Sequence, residues 1–253
     1  MNRSRIDLLE KYESLKRPLI LDGAIGILLH QKNIPLHKNL WSSIVNITHP
    51  EVIKQIHKEY IDAGAGILTT NTFRTNPNAF HNSNLNITNE EFIRCSVQLA
   101  IGSVEIEGTI IIAGSNAPAE DCYQVERLIT NNKLDYNHKL QIEQLWESGC
   151  DIIWNETQSH WDEIEIICKF CFENSYPFTV NLYFNDDLEL LSGEPLNEAI
   201  SFISDFSPKG IGFNCIKPQL LKKYFENNIP PKNWGFYFNC GKGDVRDEIM
   251  SCD

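Results

Sequence analysis

Seven short runs of apolar, β-rich residues, each separated from the next by a stretch with helical spacing, limit this chain to a few folds. The runs are "PLILDGAIG" (18–26), "GILTTNTF" (66–73), "GTIIIAGSNAP" (108–118), "DIIWNET" (151–157), "PFTVNLYF" (177–184), "GIGFNC" (210–215) and "WGFYFNC" (234–240). Near-continuous apolar character is what strands covered on both faces require, and that means a parallel sheet with helical crossovers. In "THPEVIKQIHKEYIDAGA" the residues Ile53, Ile56, His57, Tyr60 and Ile61 share one helical face, Thr48 and Glu51 have capping-box spacing, and Gly64 suits the stop. Further helices are predicted at 89–107, 135–148, 159–174, 194–205 and 218–227. A length of 253 residues suits one α/β barrel domain, so residues 1–253 are read as a single unit.

Two architectures meet this pattern, a closed (β/α) barrel and an open doubly wound sheet. The first run carries Gly23 and Gly26 but lacks the Gly-x-Gly-x-x-Gly spacing of a dinucleotide fold. Polar groups at strand ends favour the barrel, whose sites lie at the C-terminal face. Asp22, Asn71, Asn116, Glu156 and Cys215 all fall at or just beyond such ends and are expected to converge on one mouth. Cys215 reads as a nucleophile, a metal ligand or a buried inert thiol, and Cys240 ends the following strand in the same way. Asp22 and Glu156 are carboxylates at the ends of apolar strands, where they need either a ligand's ammonium group or a structural cap as partner.

Cys168 and Cys171 have C-x-x-C spacing but lie on a helical apolar stripe with Ile164 and Ile167, so packing is expected there, and likewise for Cys95, Cys122 and Cys150. The seven histidines show no metal-ligating spacing. A net charge of −12, from 22 basic and 34 acidic residues, speaks against nucleic acid as a partner. Neither a signal-peptide core nor a membrane-length apolar run is present, and a cytoplasmic protein is expected.

Four stretches in order resemble one family. "LDGAIGILL", "LWSSIVNITHPEVIKQIHKEYIDAGAGILTTNTF", "NET" and "GFNC" are similar to the motifs of the homocysteine S-methyltransferases. The resemblance implies a (β/α)8 TIM-type barrel, an α/β fold, whose eighth strand and last helix are missing from this chain. It implies methyl transfer from a small-molecule donor to the zinc-activated thiol of homocysteine, giving methionine. It also implies Cys215 as a zinc ligand, with two of the three expected cysteine ligands absent, and Asp22, Asn71 and Glu156 as the lining of the homocysteine site. Cys240 and Cys252 are the thiols left to a reorganised site. The alternatives are a non-catalytic amino-acid-binding or interaction protein that has lost its zinc site, and an unrelated barrel lyase or aldolase using Asp22 and Glu156 as acid and base.

Overall fold

The computed structural model describes residues 3–81 and 83–239. Its centre is one parallel sheet in sequence order: β1 (Ile67–Thr69), β2 (Ile111–Asn116), β3 (Ile152–Gln158), β4 (Phe178–Leu182), β5 (Gly210–Ile216) and β6 (Trp234–Phe238). Around it lie α1 (Leu8–Leu15), α2 (Ile25–Gln31), α3 (Val45–Thr48), α4 (Pro50–Asp62), α5 (Pro77–His81), α6 (Asn89–Ile101), α7 (Asn131–Glu147), α8 (Trp161–Glu173), α9 (Leu196–Ser204) and α10 (Pro218–Phe225).

Seven strands are predicted, and the described residues form six. The run around Asp22 is reduced to a parallel bridge between Leu21 and Ile67. Pairing ends there because the Asp22 carboxylate receives the Thr69 N–H at 2.9 Å, where a ladder would use a backbone carbonyl. The expected α/β class holds, and in place of a (β/α)8-type barrel short of its eighth strand the described residues form an open, curled sheet of six strands. Curling follows from one contact. Tyr237 on β6 and Glu156 on β3 are three strand spacings apart, about 14 Å across a flat sheet, yet the phenol donates to the carboxylate at 2.8 Å. Side chains stand roughly perpendicular to a sheet, so they meet only if it bends toward them.

Strict alternation divides the strand residues between two layers. Leu68, Ile112 and Ile153 face outward to the helices, packed with Ala100, Val97 and Ile164. Ile67, Ile111, Ala113, Ile152 and Trp154 face inward and pack on Ile6, Leu8, Leu19 and Leu21 from the N-terminal arm. Farther along the same inner face come Thr69, Ser115 and Glu156. The concave side is therefore apolar at its base and polar at its rim. On β5 the inner position opposite Asn181 is Gly212, where a Cβ would lie 2.0 Å from the Asn181 amide oxygen.

The arm is tied to the base by Asp151, whose buried carboxylate takes the Arg3 guanidinium, the Ile6 N–H at 2.8 Å and the Ile112 N–H at 2.7 Å. Lys209 bonds Asp7, the N-cap of α1, at 2.7 Å.

Helix α4 departs from expectation at its start. Thr48 does not cap it, because the preceding turn is already helical and the Thr48 hydroxyl bonds back to the Ile44 carbonyl at 3.4 Å. Pro50 opens the helix instead, and the capping box belongs to Thr88 and Glu91 at α6. On the buried face of α4, His57 is fully enclosed beside Ile53 and Ile56, with neither ring nitrogen bonded. Burial pushes its imidazole down from 6.5 to about 4. Between those values the unfolded chain binds a proton that the folded one refuses, so stability falls as pH drops through that window. His57→Leu should remove the effect: the stability lost between pH 7 and pH 4.5 in urea denaturation should shrink by about 2–3 kcal/mol relative to the parent.

Candidate functional site

The rim is built by two irregularities in the sheet. Pairing shifts on β3 between Asn155 and Gln158 and on β5 between Asn214 and Ile216. Each shift holds a residue with left-handed backbone, Thr157 at φ 56° and Cys215 at φ 57°. Alternation alone would turn both side chains away from Glu156 and Asn214. The bulges re-aim them toward the same cluster.

Thr157 and Asn214 then clasp each other. The Thr157 N–H donates to Asn214 Oδ1 at 2.9 Å, and Asn214 Nδ2 donates to Thr157 Oγ1 at 2.8 Å. Both side chains also reach the thiol: Thr157 Oγ1 lies 3.7 Å and Asn214 Nδ2 3.5 Å from Cys215 Sγ. A β-branched residue in this conformation is strained by about 1–3 kcal/mol and persists only where its surroundings fix it. The reciprocal bonds are that fixation.

Glu156 stands between the clasp and the inner wall. One carboxylate oxygen accepts from the Ser115 hydroxyl and the other from Tyr237. Burial pushes its carboxyl above the ordinary range, against both hydrogen bonds. Asp22 is pushed up further, first by burial and then, against the Thr69 bonds, by the charge of Glu156. The Asp22 oxygens accept the Thr69 hydroxyl at 2.9 and 3.2 Å as well as its N–H. Two carboxylates that both resist ionising thus lie close enough for the charge of Glu156 to act on Asp22, and neither has a cation among its described electrostatic partners. The Cys215 thiol is also pushed up by burial and further by the charge of Glu156, against the bonds from Thr157, Tyr123 and Asn214 that lower it.

Asp22, Glu156 and Cys215 are therefore brought together. Asn71 is placed differently: its amide donates to the Ser42 carbonyl at 2.9 Å and to Asn46 Oδ1 at 3.0 Å and accepts from the Ser42 hydroxyl at 2.8 Å, so it anchors the segment leading into α3. Asn116, expected at the mouth, lies on the outer face against α7, because it alternates with inward Ser115. Cys168, Cys171, Cys122 and Cys150 are buried as packing predicts, whereas Cys95 is exposed on α6. Cys240 and Cys252 lie outside the described residues. Ser115, Tyr237, Thr157 and Asn214 were not marked as site residues: the first two need the curl, and the last two, although they lie in the "NET" and "GFNC" stretches, need the bulges. On α2, Gly26 leaves room for Trp41, whose ring would lie 2.5 Å from a Cβ there.

Comparison with known proteins converges on one family. The homocysteine S-methyltransferase profile matches residues 19–250. The chain is 28% identical to the homocysteine S-methyltransferase of Escherichia coli (strain K12) over 218 residues, 78% of this chain and 69% of that protein. It is 25% identical to the homocysteine S-methyltransferase YbgG of Bacillus subtilis (strain 168) over 237 residues, 84% of this chain and 75% of that protein. The metallated form of the Escherichia coli homocysteine methyltransferase MmuM superposes with a TM-score of 0.80 at 24% identity, covering 91% of this chain and 88% of that one. At that identity the superposition speaks for the fold.

Asn214→Ala deprives Thr157 of both reciprocal bonds while leaving it strained, and should cost about 2–4 kcal/mol in urea denaturation, as two buried hydrogen bonds are lost. Adding Thr157→Gly should recover part of this, since glycine adopts positive φ without strain.

Proposed function

The chain belongs to the homocysteine S-methyltransferase family, and from that premise we propose that it transfers a methyl group from a small-molecule donor to the thiol of homocysteine, giving methionine. The observation that carries the reading is the pair of inward carboxylates, Asp22 and Glu156, without a described cation beside them. An amino acid's ammonium group supplies the missing charge, and its arrival favours the ionised form of both. Each Glu156 oxygen already takes one hydrogen bond and keeps a lone pair for the ligand. Ser115 and Tyr237 orient the carboxylate, Asp22 adds to the negative field, and Asn71 supports the wall by holding Ser42 and Asn46.

With the amino end fixed there, the sulfur is directed toward the Cys215 side of the rim. Transfer is a displacement at carbon. The homocysteine sulfur forms the new S–CH3 bond, the bond from methyl to the donor's sulfonium or quaternary nitrogen breaks, its electron pair stays with the donor, and the thiol proton passes to solvent. A donor already carrying positive charge, such as S-methylmethionine, S-adenosylmethionine or betaine, leaves neutralised at that atom. The low-polarity base beneath the rim excludes water from the reacting end.

A zinc ion held by three cysteines is what the family resemblance implies. The described donor set does not fit it: no group of three or more histidine, cysteine, aspartate or glutamate side chains able to hold a metal occurs among the described residues, and beside Cys215 the nearby thiol is the buried Cys122. No step here is routed through the metal. The same observation favours a second reading, an amino-acid-binding protein without catalysis, which keeps the carboxylate site and drops the transfer.

Two measurements test these readings. Glu156→Gln should weaken homocysteine binding about 10–100-fold in titration calorimetry, the equivalent of one charge-assisted contact of about 1.5–3 kcal/mol, while leaving donor affinity unchanged. Equal losses for both ligands would assign Glu156 to loop support. Metal analysis of the purified chain after dialysis should give well below one zinc per chain; one full equivalent, lost in both Cys215→Ala and Cys240→Ala, would show a completed site and restore the metal to the mechanism.

A further inference from the structure

Behind the rim, between the outer face of the sheet and helices α7 and α8, runs a buried chain of polar side chains that the proposed transfer does not use. The Thr179 carbonyl on β4 accepts from Asn155 Nδ2 at 2.8 Å, and Asn155 Oδ1 accepts from Asn116 Nδ2 at 2.7 Å. The same Asn116 nitrogen lies 3.3 Å from His138 Nδ1. His138 Nε2 stands 3.7 Å from Glu163 Oε2, and Arg127 donates to Glu163 Oε1 at 2.9 Å and to Asp162 Oδ1 at 2.7 Å. Asn116, Asn155, His138 and Glu163 are wholly buried.

The direction of each bond follows from the fixed end. A backbone carbonyl only accepts, so Asn155 turns its NH2 to Thr179 and its oxygen to Asn116. Asn116 must then present its NH2 to Asn155, and the second hydrogen of that group faces Nδ1. That bond requires a lone pair at Nδ1, which leaves the ring proton of a neutral imidazole to Nε2, facing Glu163 Oε2 from beyond hydrogen-bond distance. Burial works against the Glu163 charge, but His138 and Arg127 hold its carboxyl below the ordinary range, which keeps an anion facing that proton.

The chain matters because of where it grips the sheet. Asn116 and Asn155 are the last matched pair of β2 and β3 before the bulge, and their neighbours Ser115 and Glu156 meet on the inner face. We propose that His138 is a positioning residue: by fixing the orientation of the Asn116 amide it locks the β2–β3 rim from behind and so holds the Glu156 carboxylate where an amino acid's ammonium group binds. The ligand in this statement rests on the homocysteine reading; the relay itself does not.

The test uses the 253-residue chain with His138→Gln, His138→Leu and Glu156→Gln in parallel. Glutamine can accept from Asn116 and donate toward Glu163, whereas leucine does neither. His138→Leu is expected to weaken homocysteine binding about tenfold in calorimetry, with a native circular dichroism spectrum, and His138→Gln to stay within about twofold of the parent. Equal losses in the two His138 variants, or no loss in His138→Leu while Glu156→Gln loses affinity, overturn the positioning role. If His138→Leu fails to fold, Asn116→Asp replaces it, since its carboxylate sets an acceptor against Asn155 Oδ1 and should produce the same tenfold loss. Nitrogen-15 NMR of the His138 ring reads the relay without any ligand: an Nε2–H tautomer supports it, and an Nδ1–H tautomer overturns it. Unchanged binding in Glu156→Gln defeats the homocysteine reading, and the tautomer then decides the relay.

Discussion

The reciprocal bond between Thr157 and Asn214 is the contact on which the rim depends. A parallel sheet offers every second residue to its concave face, and so spaces functional groups along a strand about 6.6 Å apart. Breaking the alternation at the same height on β3 and β5 brings consecutive residues to one place, Glu156 with Thr157 and Asn214 with Cys215. The irregularity costs conformational strain at two residues, and the clasp between the strands offsets it. Loss of the clasp would leave that strain uncompensated at the point where these groups meet.

Electrostatics at the rim follow from the same layering. Isoleucines and Trp154 below and helices behind limit water at Asp22 and Glu156, so both resist ionisation, and the charge of Glu156 makes it harder for Asp22. A cationic ligand reverses that balance, which makes the site selective for charge before it is selective for shape. Cys215, raised by burial and by the nearby carboxylate, is by itself a poor thiolate. Its hydrogen bonds from Thr157 and Asn214 suit a sulfur that is held in place.

The strand and helix order was legible because buried parallel strands and amphipathic helices leave different periodicities, and six of the seven predicted strands formed. The first run failed at Asp22, where a side chain took over a backbone's hydrogen bond, an exchange that apolar patterning does not register. Asp22, Glu156 and Cys215 could be marked as strand-end groups, and they do meet. Asn116 could not be separated from them, because inward and outward positions differ by one residue and the register was unknown. Tyr237 and Ser115 act only through curvature, and Thr157 through a bulge, features that arise between strands and leave no local trace in either one. Cys95, grouped with the packing cysteines, sits on the exposed side of an amphipathic helix whose boundaries the sequence had overextended.

The anchoring of the N-terminal arm sets an order in time. Arg3 is 148 positions from its partner Asp151, and Asp7 is 202 from Lys209. During synthesis the arm emerges first, but its anchors do not exist until β3 and then β5 have left the ribosome, roughly 10–40 s later at ordinary elongation rates of about 5–20 residues per second. Throughout that interval Ile6 and Leu8 have no sheet base to cover. Residues made before the sheet are thus seated after much of it, and the base of the nascent sheet is open to chaperones or to aggregation until then.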